Sequence, residues 1–561
     1  YNLCCTEGKD MNLLHKFHEE CWKMAEGIGK LERPPKGIGA DLALPCFALA
    51  KEQRKNPNDI AKEIAAGMKA KGLVKAIRAE GPYVNFYADW NKIGNNVLKQ
   101  IMKGDRVKEK KEKVMVEYSA PNSNKPLHIG HLRNDSIGMA VSNILEFSGH
   151  DVTRANLIND RGVHICQAML AYKKWGKGRK PKIKSDHFVG DFYVLYHKKL
   201  KEDKKLEEEA QKMLIKWEKG DKATRALWKK MNNWAMSGFK ETYKKFGSKF
   251  DVFFLESQFY DKAKPLISEG LKKGVFYEND KGDIVAALKK SNLPDKTILR
   301  NDGTSVYITN DLALTKHKFE KYNLDKATWV VASEQNLYFE QLFKIFELLG
   351  YKFASRCHHL SYGIVSLPEG RMKSREGKVV DADELIENVK ELALHEVNKR
   401  YKLQKKEAEE RAMKIALAAI KYYLLSLEPV KDIMFDPEKA VSFEGDTGPY
   451  LQYTYARAKS IIRKSGRKVA FKEMELDGKE VAIVKELSQF PWIIKKCAHE
   501  MKPHYLANYL FELATLFNEF YHSSRVIGAE RERELLMLVA AVAAVLKNGL
   551  ELLGIDVLEE M

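Results

Sequence analysis

The chain has 561 residues, more than one ordinary hydrophobic core can organise, and its 44% hydrophobic content excludes a largely disordered protein. Its formal net charge of +19 favours a polyanionic partner such as nucleic acid, while a lysine-rich surface kept for solubility is the alternative interpretation. The seven scattered cysteines include no CxxC pair, which argues against a disulfide framework or a zinc half-site and indicates a reducing compartment.

By composition and hydrophobic periodicity the chain divides into three parts. Residues 1–112 combine helical segments with the alternating, strand-like "GPYVNFYADW" and predict a small α+β domain. Residues 113–380 alternate apolar strands with amphipathic helices, which predicts βαβ units and a parallel sheet. A charged, mainly helical segment at about 175–290 is expected to be an insertion, after which "KTILRNDGTSVYITND" resumes the pattern. Residues 381–561 show only helical periodicity and predict an all-α domain.

The longest apolar run, "LLMLVAAVAAVL" at residues 535–546, is short of the roughly 20 residues that a membrane-spanning helix needs. We interpret it as a buried core helix, and no membrane partner is expected. No secretory signal is recognisable, Met11 is a candidate initiator, and the pattern does not explain residues 1–10.

The stretch "VEYSAPNSNKPLHIGHLRND", residues 116–135, places two histidines at the predicted start of a helix that follows an apolar strand. His128 and His131 then lie beside free backbone N–H groups, which attract phosphate, and Gly130 allows close approach to the backbone. Zinc would need further ligands, which no nearby cysteine or third histidine supplies. A lone HxxH pattern leaves a phosphate site, a metal site and ordinary core or surface histidines open.

The segment "PNSNKPLHIGHLRN", here called the first signature (residues 121–134), resembles the "HIGH" element of class I aminoacyl-tRNA synthetases. The flanking "EYSAPN", "KP" and "LRND" resemble arginyl-tRNA synthetases in particular, and the resemblance covers nearly the whole chain. It implies that the two histidines contact the ATP phosphates and stabilise charge as the α-phosphate is attacked. The ATP-binding positions that it implies are His128, Gly130, His131, Glu334 and Met372.

The resemblance also implies an α/β fold class. The expected architecture is a Rossmann-type parallel-sheet catalytic domain with an inserted mainly helical segment, an N-terminal α+β domain that contacts tRNA, and a C-terminal all-α anticodon-binding bundle.

An arginine substrate requires carboxylates and fixed acceptors, because its planar donor fork is matched bidentately by Asp or Glu. Five polar residues are expected at the carboxyl ends of strands, where open α/β sheets bind ligands. Taken singly, Asp311 has an alternative interpretation as a helix N-cap, Tyr307 as a packed strand residue and Asn122 as a turn residue. The residues that match the arginine-binding positions of the arginyl family are Glu117, Asn122, Tyr307, Asp311 and Gln335.

The second signature of class I enzymes, "KMSKS", is matched here by "RMKSREG", which has Ser374 at the second-lysine position. Many arginyl enzymes show a similar loss. A missing transition-state donor typically costs about 10² to 10³ in rate, so another cation must supply it. Lys125 is the best candidate, with Lys373 and Arg375 as alternatives, although plain surface charge is the other interpretation of Lys125.

The helical stretch "EGDTGPYLQYTYAR" resembles the arginyl-synthetase signature of the anticodon-binding bundle. It places Tyr450, Tyr453 and Arg457 on one helical face, where they form either a core stripe or a platform for stacking bases. Met561 is a further candidate for contact with an anticodon base. Asn85 of the N-terminal unit is a candidate for contact with the tRNA corner.

The resemblance therefore implies a cytoplasmic, monomeric arginine–tRNA ligase. ATP and L-arginine would give arginyl-adenylate and pyrophosphate, and arginine would pass to the terminal ribose of tRNA(Arg). Mg²⁺ is expected to accompany ATP, with no tightly bound protein-ligated metal, and tRNA is expected to be needed even for the first step. Glu117 and Asp311 disfavour a synthetase for an apolar amino acid, since their carboxylates would be buried unpaired. A non-catalytic tRNA-binding relative is the alternative.

Overall fold

The N-terminal unit is an antiparallel sheet covered by helices. The computed structural model describes residues 13–34, 38–104, 109–368 and 380–561. In this unit β3 lies between β1 and β2 and pairs antiparallel with both. The elements are α1 (Leu13–Ala25), β1 (Leu42–Pro45), α2 (Phe47–Gln53), α3 (Pro57–Gly67), β2 (Val74–Glu80), β3 (Tyr83–Ala88) and α4 (Trp90–Lys103).

The middle of the chain is built on a five-stranded parallel sheet in the order β11-β10-β4-β5-β6. Its elements are β4 (Lys113–Glu117), α5 (Ile129–Phe147), β5 (Asp151–Ile158), α6 (Val163–Trp175), α7 (Ser185–Leu200), α8 (Lys205–Glu218), α9 (Lys222–Phe246), β6 (Val252–Leu255), α10 (Lys264–Lys272), β7 (Phe276–Glu278), β8 (Ile284–Ala286), β9 (Lys296–Leu299), α11 (Tyr307–Tyr322), β10 (Lys326–Ala332), α12 (Asn336–Leu348), β11 (Cys357–Tyr362) and β12 (Val365–Ser366). The chain leaves β4 toward β5 on one side and reaches β10 on the other, so the topological switch point lies between β4 and β10.

The end of the chain is helical. Its elements are α13 (Ala382–Arg400), α14 (Lys405–Leu425), β13 (Ile433–Met434), α15 (Pro437–Ala440), α16 (Gly448–Ser465), α17 (Gly478–Glu500), α18 (His504–Ser523) and α19 (Glu532–Leu552). By length and composition α19 could cross a membrane, but 72% of its apolar window is buried inside the protein. The apolar run at residues 535–546 is therefore a core helix of the bundle, as predicted.

Helix α5 lies between the parallel sheet and the helical bundle. It packs against β4, β5 and β10 on one side and against α14, α17 and α19 on the other. Its residues are accordingly buried nearly all round rather than along one stripe. The first signature thus begins a helix that packs against both the parallel sheet and the helical bundle.

The fold class is confirmed, with two differences in the strands. Strand β6 lies inside the segment predicted as an insertion, yet it pairs in parallel with β5 as the edge of the main sheet. Strand β9, from "KTILRND", was expected in the parallel sheet but pairs antiparallel with β8 in a separate three-stranded sheet. Short apolar runs show that a strand exists but not which sheet it joins, because pairing is decided by distant segments.

Close helix packing in the bundle predicts that Gly549→Ala destabilises the protein. A Cβ at Gly549 in α19 would lie 2.4 Å from Leu510 Cδ2 in α18, so the buried helices must separate, at a cost of about 1–3 kcal/mol. Urea unfolding followed by circular dichroism measures the change. Gly478→Ala in α17 is the matched control, since its Cβ meets nothing within 4 Å. Equal unfolding midpoints for the two variants would contradict the prediction.

Candidate functional site

The two histidines of the first signature cap the start of α5. His128 is the N-cap residue, and its Nδ1 accepts a hydrogen bond from the Gly130 N–H at 3.2 Å. His131 Nδ1 accepts from the His128 N–H at 3.1 Å, and the ring centroids lie 4.0 Å apart. A Cβ at Gly130 would lie 2.9 Å from His128 Cε1, so glycine is what allows the ring to fold over the helix start.

This capping decides the chemistry of both rings. Burial and the Lys125 charge lower the pKa of His128 to about 3. Burial, His128 and Lys125 hold the pKa of His131 well below its usual value. Both imidazoles are therefore neutral near pH 7. Because each Nδ1 is an acceptor, each ring carries its proton on Nε2, which becomes a donor beside a helix N-terminus. The arrangement suits an anionic ligand such as a phosphate.

The segment before α13 is joined to the first signature. The Ile129 N–H donates to Val380 O at 3.2 Å, and the Ala382 N–H donates to Leu127 O at 3.0 Å. A cavity of about 170 Å³ lies beside this junction, between Lys125 and His128 on one side and helix α7 on the other. Lys125 thus faces the same space as the histidine at the helix start.

Near this cavity, Asp186, His187 and Asp383 lie close enough together to share an ion, but the chain's own cations already neutralise the carboxylates. Lys184 Nζ lies 2.8 Å from Asp186 and 2.9 Å from Asp383, and Lys245 Nζ lies 3.2 Å from Asp383. His128 and His131 are not members of this group.

The predicted arginine-binding residues occupy two sides of the switch point. Glu117 ends β4 and is buried, Asn122 follows in the loop, and Gln335 follows β10. Tyr307 and Asp311, by contrast, lie one helical turn apart at the start of α11 rather than at a strand end. The N-cap of α11 is Val306, so the interpretation of Asp311 as an N-cap is wrong. Among the described contacts, no hydrogen bond joins Asn122 or Gln335 to Asp311.

Glu117 is buried and Asp311 is half-buried, and the two carboxylates have different partners. Glu117 Oε2 accepts from Lys318 Nζ at 2.6 Å, and that ammonium lies over the rings of Phe254 and Trp329. Asp311 accepts a hydrogen bond from the Tyr338 hydroxyl. Burial raises the pKa of Asp311 to about 6, although Tyr338 and Lys318 oppose the rise. Asp311 is thus largely ionised near pH 7, and no cation forms an ion pair with it among the described residues.

The sequence pattern did not identify Glu256, which directly follows β6. It is only 5% exposed, its Oε1 accepts from Asn310 Nδ2 at 2.8 Å, and its Oε2 has no hydrogen-bond partner among the described residues. Burial raises the pKa of Glu256 to about 8, against the opposing charge of Arg161, and Asp311 adds to the rise. The signal was the strand-like "DVFFLES", which the supposed insertion concealed.

Glu117, Glu256 and Asp311 lie close enough to affect one another's pKa and are here called the carboxylate pocket. Arg161 is the chain's own guanidinium beside this pocket. It stacks 4.8 Å from the ring centroid of Tyr260 and donates to Glu218, so its charge is already engaged. Near pH 7 Glu256 is largely protonated, so the carboxylate that lacks a cation is Asp311, and a ligand with a planar cation would balance its charge.

Glu334, predicted to bind ribose, is exposed directly after β10 at the same edge of the sheet. The second-signature predictions for Met372, Lys373 and Arg375 lie outside the described residues.

In the helical bundle, the predicted RNA platform is a half-buried network. Arg457 Nη2 donates to the Tyr453 hydroxyl at 2.7 Å, and Arg457 Nη1 donates to Asn518 at 2.8 Å. Asn518 Nδ2 donates to the Tyr450 hydroxyl at 2.9 Å, which joins all three predicted residues. The arrangement is compatible with both a core stripe and a platform for stacking bases, since the rings pack inward and keep a partly exposed edge.

The tail that ends in Met561 is held on the opposite face of α16, through Tyr455 to Glu559 at 2.7 Å and Arg463 to Glu560 at 3.0 Å. Asn85 is wholly buried and donates to Glu80 Oε2 at 3.2 Å across the β2–β3 hairpin. Its predicted contact with tRNA is therefore not supported, because its side chain does not reach the surface.

The similarities to known proteins extend over nearly the whole chain. Family models match residues 13–88 ("Arginyl tRNA synthetase N terminal domain"), 58–437 ("tRNA synthetases class I (R), catalytic domain") and 451–561 ("DALR anticodon binding domain"). An arginine–tRNA ligase of Treponema denticola is 41% identical over 97% of this chain and 96% of its own length. One from Parabacteroides distasonis is 38% identical over 95% of each.

Among solved structures, the Thermus thermophilus arginyl-tRNA synthetase has a TM-score of 0.81 at 28% identity, covering 98% of this chain and 100% of the other. The Plasmodium falciparum arginyl-tRNA synthetase has a TM-score of 0.80 at 20% identity, covering 98% of each chain, which supports the fold alone.

The low pKa of His128 predicts that His128→Asn flattens the pH dependence of stability. From about pH 4 to pH 6.5 the unfolded state binds a proton that the folded ring excludes, so the free energy of unfolding rises with pH. One such group contributes up to about 1.4 kcal/mol per pH unit. Asparagine keeps the helix cap but does not titrate. Urea unfolding across this range measures the slope. The exposed His499→Asn is the control, and an unchanged slope in His128→Asn would refute the prediction.

Proposed function

This chain belongs to the arginyl-tRNA synthetases, and on that premise we propose how its residues divide the reaction. The chain is an arginine–tRNA ligase, which activates L-arginine with ATP and transfers it to the 3′-terminal ribose of tRNA(Arg). The observation that carries the proposed division of roles is the position of a histidine-capped helix start and a carboxylate-rich pocket at one switch point of the sheet.

The first signature provides electrostatic stabilisation of the phosphate. The Nε2–H groups of His128 and His131 donate to oxygens of the α-phosphate as the substrate carboxylate attacks it and pyrophosphate leaves. Neutral donors that are already fixed by helix capping need no rearrangement at the transition state. Gly130 lies under the adenine, Glu334 binds the ribose, and Mg²⁺ arrives with ATP as part of the substrate.

The carboxylate pocket selects arginine. Asp311 and Glu256 receive the guanidinium, whose charge stabilises both carboxylates in their ionised form. Tyr307 covers the pocket from one turn earlier in α11. Glu117 is oriented through Oε2 by Lys318, and its Oε1 faces the substrate amino group. Asn122 and Gln335 hold the polar end of the substrate from the two loops at the switch point.

Lys125 supplies the positive charge that Ser374 lacks in the second signature. Its position beside the His128 cavity supports this role. Met372, Lys373 and Arg375 keep the roles that the resemblance implies.

The helical bundle reads the anticodon loop with the aromatic network of Tyr450, Tyr453 and Arg457, and Met561 contributes from the other face of α16. The division into residues 1–112, 113–380 and 381–561, a monomeric state and a cytoplasmic location belong to the same proposal. A non-catalytic relative is disfavoured, because both histidines and the whole pocket are present.

Arginine-dependent ATP–pyrophosphate exchange in the presence of tRNA tests the proposal, and Asp311→Asn tests the pocket. We expect the variant to lose about 10- to 10²-fold in kcat/KM for arginine, since a buried charge-assisted hydrogen bond contributes about 1.5–3 kcal/mol. Its affinity for tRNA, measured by filter binding, should stay unchanged. Asp302→Asn, an exposed residue just before α11, is the matched control. Equal loss of arginine use and tRNA affinity would make Asp311 a structural residue.

Lys125→Ala should lower the rate of adenylate formation by about 10² to 10³, because one transition-state charge is lost. The dissociation constants for arginine and tRNA should change little. Single-turnover measurement of adenylate formation separates the chemical step from binding, and the exposed Lys180→Ala is the control. An exchange rate like that of wild type would assign the missing charge to another residue.

A further inference from the structure

Arg133 lies two residues after His131 in α5, and its side chain is completely buried. Its partners are four backbone carbonyl groups. Nη1 donates to Gly363 O at 2.6 Å and to Ile364 O at 3.4 Å, and Nη2 donates to Pro429 O at 3.0 Å and to Lys431 O at 2.7 Å. The ring of Tyr362 lies 5.9 Å away.

These four carbonyls belong to two segments that lie far apart in the chain. Residues 363–364 follow β11 at the edge of the catalytic sheet, whereas residues 429–431 follow α14 of the helical bundle. One guanidinium on a third element, α5, therefore holds both. Its four amino N–H groups point in fixed directions, and each pair reaches one segment, which a lysine ammonium does not reproduce.

The two segments also meet each other closely. The Gly363 N–H donates to Pro429 O at 2.9 Å, and β12 pairs in parallel with β13. A Cβ at Gly363 would lie 2.5 Å from the carbonyl carbon and oxygen of Lys431. The close contact between the two segments therefore requires glycine at position 363, because a larger residue would force the segments apart.

On its other side α5 is fixed to the active site. Asn134, the next residue, donates to Val330 O at 2.8 Å and accepts from the Ser119 N–H at 2.7 Å, which locks the helix over the ends of β10 and β4. His128 and His131 lie one turn earlier on the same rigid helix. A shift at the junction would therefore move the two imidazoles.

We propose that Arg133 is a positioning residue that fixes the helical bundle against the helix carrying the catalytic histidines, so that turnover depends on this junction while substrate affinity does not. The inference rests on the proposed roles of His128 and His131. Misplacing a catalytic group by about 1 Å from a distance can cost about 10²-fold in rate.

The test compares Arg133→Lys and Gly363→Ala with wild type in arginine-dependent ATP–pyrophosphate exchange with tRNA. We expect kcat to fall about 10²-fold in both variants, with the KM values for arginine and ATP within about threefold of wild type. Gly363→Ala disturbs the junction without touching the guanidinium, and it decides the question if Arg133→Lys does not fold. The control is Arg356→Lys, whose guanidinium donates to a backbone carbonyl, Leu324 O at 3.0 Å, that belongs neither to α5 nor to the junction.

A kcat like that of wild type in a folded variant would overturn the inference, and so would a rise in KM as large as the fall in kcat. A wild-type protein without exchange activity would instead defeat the proposed function itself.

Discussion

The start of helix α5 is the constraint on which the rest of the site depends. A buried helix N-terminus leaves backbone N–H groups without partners, and here two imidazoles satisfy some of them. That single arrangement sets the tautomer of both rings and requires glycine at position 130, and burial keeps both rings neutral. The helix start also lies at the switch point between β4 and β10, so the proposed phosphate-binding end and the carboxylate pocket share one edge of the sheet.

The carboxylate pocket is costly for the empty protein. Glu256 is buried and Asp311 is half-buried, both have fewer donors than their oxygens can accept, and burial raises the pKa of both carboxyls. Lys318 forms an ion pair with Glu117 and offsets the effect of burial on Asp311 only in part. A bound guanidinium supplies the missing charge and donors, so the site gains most from a planar cation and little from an apolar side chain. In the proposed function, selectivity for arginine follows from this electrostatic deficit, which the fold maintains by packing.

Much of the site could be predicted from the sequence because its residues lie within short motifs. The first signature, the "DGTSVYITND" stretch and the bundle signature each place several functional residues close together along the chain. Glu256 escaped prediction because its strand follows three long helices, and only pairing with β5 identifies it as part of the sheet. The burial of Asn85 could not be predicted for a different reason. Alternation predicts a strand but not whether a polar residue is buried against a neighbour such as Glu80.

The sequence by itself determined the family resemblance, the fold class and the helix start with its two histidines, and it predicts the three-part organisation and the arginine-binding residues. These are local patterns, and hydrophobic periodicity and capping residues report local structure directly. Only the tertiary structure decided which strands share a sheet, that Tyr307 and Asp311 lie on a helix, and that Lys318 neutralises Glu117. It also decided that Arg133, which looks like any charged residue of "HLRND", joins two domains through backbone carbonyls. Partners separated by 200 or more residues leave no periodic signal, because their contact depends on how the whole chain packs.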